Sequence, residues 1–288
     1  QNGKQRNSRI KTVEEPVIML NDYFKINANT QLNLGVLYQF GKIGNSNLDY
    51  QNANSPTPSY YRKMPSYFSS LYAQDKGEFS GAFTPDLANA ELNKTQFLVQ
   101  SQINWAALYQ ANQSPIVNAY GKILGFEPAQ SKYILYEDRT DDKTLAFNAL
   151  LNAEIAENIR FNAGASFNRL HSHNYQNVLN LLGGLYFEDI DAFYKGDQAQ
   201  SDLNNPNRQV KVGDAYGYNY HLLATRFNGF TQFQFNYKKV DLYLAQEFSS
   251  STYQREGLYK NGIYPTNSFG ESPTLHFENF GFKGGLTW

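Results

Sequence analysis

An all-β fold is what this sequence predicts: long antiparallel strands forming a segment of a transmembrane β-barrel, joined at one end by long extracellular loops. Three observations carry the expectation. The stretch Lys143–Leu170 alternates apolar and polar residues in two runs separated by Ala156-Glu157-Asn158. Connections between runs of this kind alternate between short turns and very long excursions. Aromatic residues make up 16% of the chain, with Tyr 22 and Phe 21, which suits girdles at two membrane interfaces and would also suit a carbohydrate-binding β-protein.

In the first run Leu145, Phe147, Ala149, Leu151, Ala153 and Ile155 stand two apart, with Asn148, Asn152 and Glu154 between them. Past the turn, Ile159, Phe161, Ala163, Ala165 and Phe167 continue the apolar set, and Arg160, Asn162, Ser166 and Asn168 the polar one. Strand side chains point alternately to opposite faces, so each run has one apolar and one wet face. A run of roughly ten residues spans ~33 Å and, tilted by ~40°, covers the ~25 Å apolar band of an outer-membrane barrel. Sandwich strands are shorter, at about 5–6 residues.

Upstream, Ser8–Ile26 places Pro16, Ile18, Leu20, Phe24 and Ile26 on one face. Pro16 lacks an N–H and is expected at a strand end or bulge. A turn at Asn27–Thr30 leads into Gln31–Gly41, where Leu32, Leu34, Val36, Tyr38 and Phe40 alternate with polar residues. The pattern then stops. Residues 45–142 read as a long extracellular loop with short helices, punctuated by Pro56, Pro58, Pro65 and Pro85; Asn104 before Trp105, Leu108 and Tyr109 reads as a helix cap. A second extracellular loop is expected over 175–213, with Val178, Leu179, Leu181 and Leu182 before Gly183-Gly184 as a helical turn with a glycine stop. Leu223–Tyr237 alternates again through Phe227, Phe233, Phe235 and Tyr237, and a turn at Lys238-Lys239 leads into Val240, Leu242, Leu244 and Phe248. A third loop covers 257–273. The last strand starts near Leu275, and the change of apolar phase between Phe277 and Phe280 predicts a bulge near Glu278-Asn279.

The count is about seven strands in an up-and-down meander, short turns at one end and long loops at the other. Leu145, Phe147, Leu151, Phe161, Ala163, Phe167, Phe233, Phe235, Leu242 and Leu244 are expected to face lipid. Glu154, Arg160, Asn162, Arg226, Gln232 and Gln234 are expected to face the lumen. So few strands cannot close around a lumen, so residues 1–288 are read as one partial barrel domain without a plug, its first and last strands left as edges.

Composition narrows the alternatives. No apolar run reaches the ~18 residues of a transmembrane helix, which leaves barrels open. A net charge of -1 gives no general attraction to nucleic acid. With Cys 0 there is no disulfide framework and no thiolate chemistry. The opening QNGKQRNSR is not a signal peptide, so the leader that export of a barrel requires is expected outside these residues.

Few residues invite chemistry. His171-Ser172-His173 puts two imidazoles about 7 Å apart on one strand face, read as a feature of the rim rather than a metal site because no cysteine stands near. Glu137, Asp138, Asp141 and Asp142 read as a solvated loop base with Arg139 as internal partner, since the Asp-x-Asp-x-Asp-Gly calcium pattern is absent. Tyr60, Tyr61, Trp105, Tyr109, Phe193 and Tyr194 lie on the long connections, where rings can stack on a ligand. No Gly-x-Ser-x-Gly elbow, Walker loop or His-Glu-x-x-His motif is present, so no catalytic residue, cofactor or metal is expected.

Several segments carry a likeness that periodicity does not: RNSRIKTVEEPVIMLNDYFKIN, YQFGKIGNSNLDY, PSYYRKMPSYF, LYEDRTDDKTL, LLGG, DLNNPNR and YQREGLYKNGIYPTNSFG. As a set, spanning nearly the whole chain, they resemble the central barrel of TonB-dependent receptors, of the Bacteroidetes type with a carboxypeptidase-like regulatory domain. The resemblance implies a barrel of about twenty-two strands in the outer membrane of a Gram-negative bacterium. It also implies a plug and TonB-contacting segment outside these residues, and import of a ligand too large for porins. Outer-membrane lipid, the TonB system, a small-molecule, glycan or peptide ligand and a surface lipoprotein are the implied partners. The alternatives are an outer-membrane barrel enzyme and a soluble secreted glycan-binding β-sandwich.

Overall fold

The computed structural model describes residues 6–69 and 86–288; Pro85 lies outside the described residues. The chain opens with β1 (Lys11–Glu14), β2 (Val17–Asn27) and β3 (Thr30–Tyr50). The first long connection holds α1 (Pro65–Ser69), α2 (Leu87–Val99), α3 (Trp105–Ala111), β4 (Gln113–Val117) and β5 (Ile123–Pro128). Then come β6 (Tyr133–Ala156), β7 (Ile159–Asn180), β8 (Phe187–Glu188) and β9 (Gln209–Val210). The chain finishes with β10 (Ala215–Tyr237), β11 (Val240–Gly257), β12 (Gly270–Glu271) and β13 (Leu275–Thr287).

The fold is all-β, built on one antiparallel sheet in the order β1-β3-β6-β7-β10-β11-β12, with β2 also on β3 and β13 also on β11. β1 and β2 are one edge strand interrupted at Glu15-Pro16, and β12 and β13 are the opposite edge interrupted at Ser272-Pro273. Pro16 therefore sits in a break on an edge, where its missing N–H leaves no ladder bond unmade, and its carbonyl accepts from Phe40 N at 3.2 Å. Gly41 faces this break; a Cβ there would lie 1.9 Å from the Glu14 carbonyl oxygen. Among the described residues the two edges do not pair with each other, so the sheet stays open.

Register fixes two faces. Directly paired residues share a face, and the row Leu20–Val36–Phe147–Phe167–Phe227 runs unbroken across five strands. The rows beside it carry Leu34, Ala149, Ala165, Gly229, Phe248 and Phe280, then Leu32, Leu151 and Ala163, then Phe161, Phe233 and Leu244. All ten residues expected to share an apolar face do so, and all six expected on the polar face lie opposite them. Asp22, Gln246 and Glu278 interrupt the apolar face near the edges. Rings meet across strands at Phe161–Phe233 (4.8 Å) and Phe248–Phe280 (4.9 Å). Among the described residues no second sheet covers this face: Leu20 remains 72% exposed and Phe282 78%.

The two-residue turns at Ala28-Asn29, Glu157-Asn158 and Lys238-Lys239 all lie at one end of the sheet, and the three long connections at the other. The strands are longer than alternation alone reveals. β3 runs to Tyr50 and β6 starts at Tyr133, which trims the loop expected over 45–142 at both ends; β7 runs to Asn180, which trims the loop expected over 175–213 at its start. The acidic cluster Glu137, Asp138, Asp141 and Asp142 consequently lies within β6 rather than at a loop base. Both faces are polar there, so the period of two vanishes while the backbone ladder continues.

Two local expectations are corrected. Val178 and Leu179 belong to β7, and Leu181–Gly184 is a turn with Leu182 and Gly183 at φ 49 and 85, not a helix. Complete burial of Leu182 holds its left-handed backbone in place. No bulge occurs at Glu278-Asn279: β13 pairs with β11 in unbroken register from Leu275 to Thr287. Phe277 lies on the polar face against Tyr253 (6.0 Å), whereas Phe280 and Phe282 lie on the apolar one.

The buried core is at the long-loop end. Ile134, Val178 and Tyr216 on the polar face are covered by Phe187 and Val210 of the second connection, and Leu108 of α3 packs with Tyr133 and Leu182. Asn104 caps α3 by accepting from Ala107 N at 3.1 Å, and Asp86 caps α2 through Asn89 N at 3.0 Å. Asn112, fully buried, pins the connections to the strands. Its Nδ2 donates to Tyr133 O (2.7 Å) and Leu181 O (2.8 Å), and its Oδ1 accepts from Lys132 N (2.8 Å) and Tyr133 N (3.0 Å). Asn112→Ala should destabilise this end by roughly 2–4 kcal/mol, because several backbone groups lose partners out of water. Hydrogen exchange should show lost protection at the Lys132 and Tyr133 amides, with amides near Glu157 unchanged; equal loss at both ends would refute a local role.

Candidate ligand-facing surface

The polar face forms a continuous surface from the short-turn end to the cap. Its lowest row holds Glu154, Arg160 and Gln234, with the Arg160–Glu154 pair at 3.5 Å and both partners exposed. Asn152, Asn162 and Gln232 form the next row; above it come Leu150, Gly164 and Phe230, then Asn148, Ser166 and Asn228, then Ala146, Asn168 and Arg226. A recess of about 440 Å³ lies at the turn end among Lys25, Asn29, Gln31, Asn152, Glu154 and Arg160. These side chains offer donors and acceptors of both kinds, with no focused charge.

Toward the cap the surface becomes aromatic. Tyr216, Tyr218 and Tyr220 occupy alternate positions of β10, beside a register shift between Tyr216 and Asn219. Gly217 makes that shift feasible: its φ is 68, and a Cβ would come 2.2 Å from Gln176 Oε1. Tyr218 donates to Asp138 Oδ1 at 3.0 Å, which also accepts from Gln176 Nε2 at 3.1 Å. Tyr218 and Tyr220 tilt together at 5.8 Å, and the Arg255 guanidinium lies 4.9 Å from the centre of the Tyr220 ring. Tyr216 is buried, its hydroxyl on Asp49 Oδ2 at 3.0 Å and its ring edge-on to Tyr136 and Phe187. The half-exposed Tyr218–Tyr220–Arg255 group is thus held from behind, a rigid platform on which planar or apolar groups can stack.

An ion pair between the buried Asp189 and the partly buried Arg208 fastens the cap above it. Asp189 bonds the Arg208 guanidinium and accepts from Gly217 N at 2.7 Å. Arg208 also donates to Ala215 O and to the Tyr259 hydroxyl, each at 2.6 Å, joining the second connection to the third. Burial disfavours the Arg208 charge, but Asp189 and the Tyr259 hydroxyl outweigh it and hold its pKa above the ordinary value. Burial likewise raises the Tyr259 phenol, against the opposing pull of Arg208. Asp202 adds a further tie, accepting from Lys260 N at 3.0 Å.

The six loop aromatics singled out as ligand contacts fall in three places. Trp105 and Tyr109 flank Arg6, whose guanidinium lies 4.1 Å over the Trp105 ring, and both pack on the Leu108 cluster. Tyr60 and Tyr61 meet edge-on at 4.8 Å, and Tyr61 meets Tyr67 at 5.7 Å. Phe193 is 96% exposed beside Tyr194 at a surface turn. The platform tyrosines escaped sequence reading, although Tyr-Gly-Tyr-Asn-Tyr at 216–220 carries the period of two. Among the described residues no group of three or more His, Asp or Glu is placed to hold a metal ion. No protein-family model matches the chain, and no curated protein matches it.

Removing Arg208 should leave Asp189 as an unpaired buried charge. Arg208→Met is expected to cost roughly 3–5 kcal/mol, and Asp189→Asn on that background should recover part of it. Denaturant unfolding of the single and double variants measures this; equal stability of Arg208→Met and the wild type would refute the fastening role.

Proposed function

We propose that these strands are part of the wall of an outer-membrane β-barrel, and that the barrel imports a ligand through a lumen lined by the polar face. The observation that carries the reading is the apolar face, continuous in register across the sheet and covered by no second layer among the described residues. From Leu145 to Ile155 it spans ~33 Å of strand, or about 25 Å at a tilt of ~40°, the thickness of an outer-membrane hydrocarbon band. Short turns at one end, long loops at the other and a cap folded over the polar face support the same arrangement. Two open edges call for further strands, since unpaired backbone groups are costly in lipid.

The TonB-dependent receptor is the kind of barrel we favour, on the strength of the segments that resemble that family. In such a barrel of about twenty-two strands this sheet would supply roughly a third of the wall. A plug, the TonB system and a surface lipoprotein would be its working partners. The loops would face the outside of a Gram-negative cell, and the Tyr218–Tyr220–Arg255 platform would meet the ligand entering from that side.

Charge placed on either face tests the proposal. Phe147→Arg should cost roughly 2–4 kcal/mol of folding free energy in a bilayer, as a charge near the midplane does. Asn148→Arg, one residue on and facing the lumen, should cost little. Urea titration of the complete barrel that contains these strands, folded into phosphatidylcholine vesicles, reads both, and equal penalties would refute a lipid-facing apolar face.

A further inference from the structure

Toward the long loops the apolar face gives way to charged side chains of both signs, and the basic ones lie nearest the apolar rows. Arg169 pairs directly with Leu145, and Lys143 with His171 in the next row, all on the apolar side of the sheet. All four histidines of the chain, His171, His173, His221 and His276, lie on this same face at this same end. Strand spacings place Lys143, Arg169 and His171 within about 7 Å of one another along and across the sheet.

Among the described residues these three groups make no ion pair or side-chain hydrogen bond, unlike their neighbours, although the His171 ring stands edge-on to His221 at 4.6 Å. Arg139 is occupied by Glu137 (2.8 Å) and Asp141 (2.9 Å), Lys42 by Glu14 (3.3 Å), and His221 by Glu256 (2.9 Å). His173 holds Asn219 at 2.6 Å. Among the described residues neither Lys143 nor Arg169 makes an ion pair, and both are exposed. The nearest carboxylates have partners of their own: Asp141 shares Arg139 with Glu137 and accepts from the Tyr175 hydroxyl at 3.1 Å, and Glu256 holds His221. An imidazole donates an N–H in either protonation state, so His171 can bond an anion without being charged.

We propose that Lys143, Arg169 and His171 form a headgroup site for a phosphate-bearing lipid of the membrane leaflet nearest the long loops. The site rests on the membrane reading above. The lipid's acyl chains would lie along Leu145, Phe147 and Phe167 while its phosphate meets the guanidinium, ammonium and imidazole at the rim. Charge complementarity and continuity with the apolar face identify the occupant: a soluble anion would use the basic groups and leave the adjoining Leu145 and Phe147 without a role. Arg169 supplies the forked donor geometry suited to phosphate, and Lys143 a point charge.

The test uses the complete barrel that contains these strands, inserted in phosphatidylcholine nanodiscs doped with phosphatidic acid, followed by mass spectrometry of the lipids that stay bound on release. Phosphatidic acid should be enriched roughly tenfold over its bulk share, from about a fivefold gain for each of Lys143 and Arg169 at a membrane surface, partly offset by screening. Lys143→Gln with Arg169→Gln should bring the enrichment to about unity, whereas Lys283→Gln, on the polar face, should leave it intact. Equal enrichment in the double variant, none in the wild type, or displacement by inorganic phosphate at matched concentration would each overturn the site. A complete barrel containing these strands that never inserts would fail the membrane reading itself and take the site with it; insertion without enrichment fails the site alone.

Discussion

Everything in this structure depends on register. Side-chain direction in a strand has a period of two, so a slip of one residue in any pairing would send that strand's apolar residues to the wet face. The ladder from β2 to β13 prevents this by holding Leu20, Val36, Phe147, Phe167 and Phe227 in one row and Asn152, Asn162 and Gln232 in another. Two-residue turns set the register at one end. At the other, packing around Tyr133, Val178 and Leu182 locks it.

The sheet and its cap are stabilised differently. At the loop end, apolar burial, the Asn112 bonds and the Asp189–Arg208 pair make an interior that water can surround. Among the described residues the lower sheet has no such interior: its apolar side chains lie on one uncovered face, and its edges have no partner strand. A hydrocarbon surroundings and neighbouring strands would supply what is absent there, which is why a barrel wall accounts for both features together. The cap stands over the polar face, so ordered aromatic and acidic groups collect where a lumen would open.

Much of the sheet could be read from sequence, because its faces differ in polarity and local spacing alone reports that. The turns at Asn27–Thr30, Ala156–Asn158 and Tyr237–Lys239 and the cap at Asn104 are local signals of the same kind. Where both faces are polar, as at Glu137–Asp142, the period disappears although the strand does not. Phe277 misled for a related reason: an aromatic residue at the rim of the polar face imitates a shift of phase. The apolar run at Val178–Leu182 imitated a helix because short apolar stretches carry no period that separates helix from buried strand. Asn112, Asp189 and Arg208 were beyond reach. Asn112 meets Leu181 across 69 residues and Arg208 meets Tyr259 across 51, and no local pattern encodes such pairs.

The central claim is that alternate residues of β6 and β7 face lipid and water. The chain has no cysteine, so single cysteines can be placed along 145–153 and 159–167 without first removing any. Spin labels at these sites in the bilayer-inserted chain, relaxed by oxygen from the lipid side and by a water-soluble nickel complex from the other, report the environment of each position. The account predicts strict alternation, with odd positions accessible to oxygen and even positions to nickel, in phase on both strands. Uniform accessibility along either strand, or alternation in the opposite phase, would contradict it.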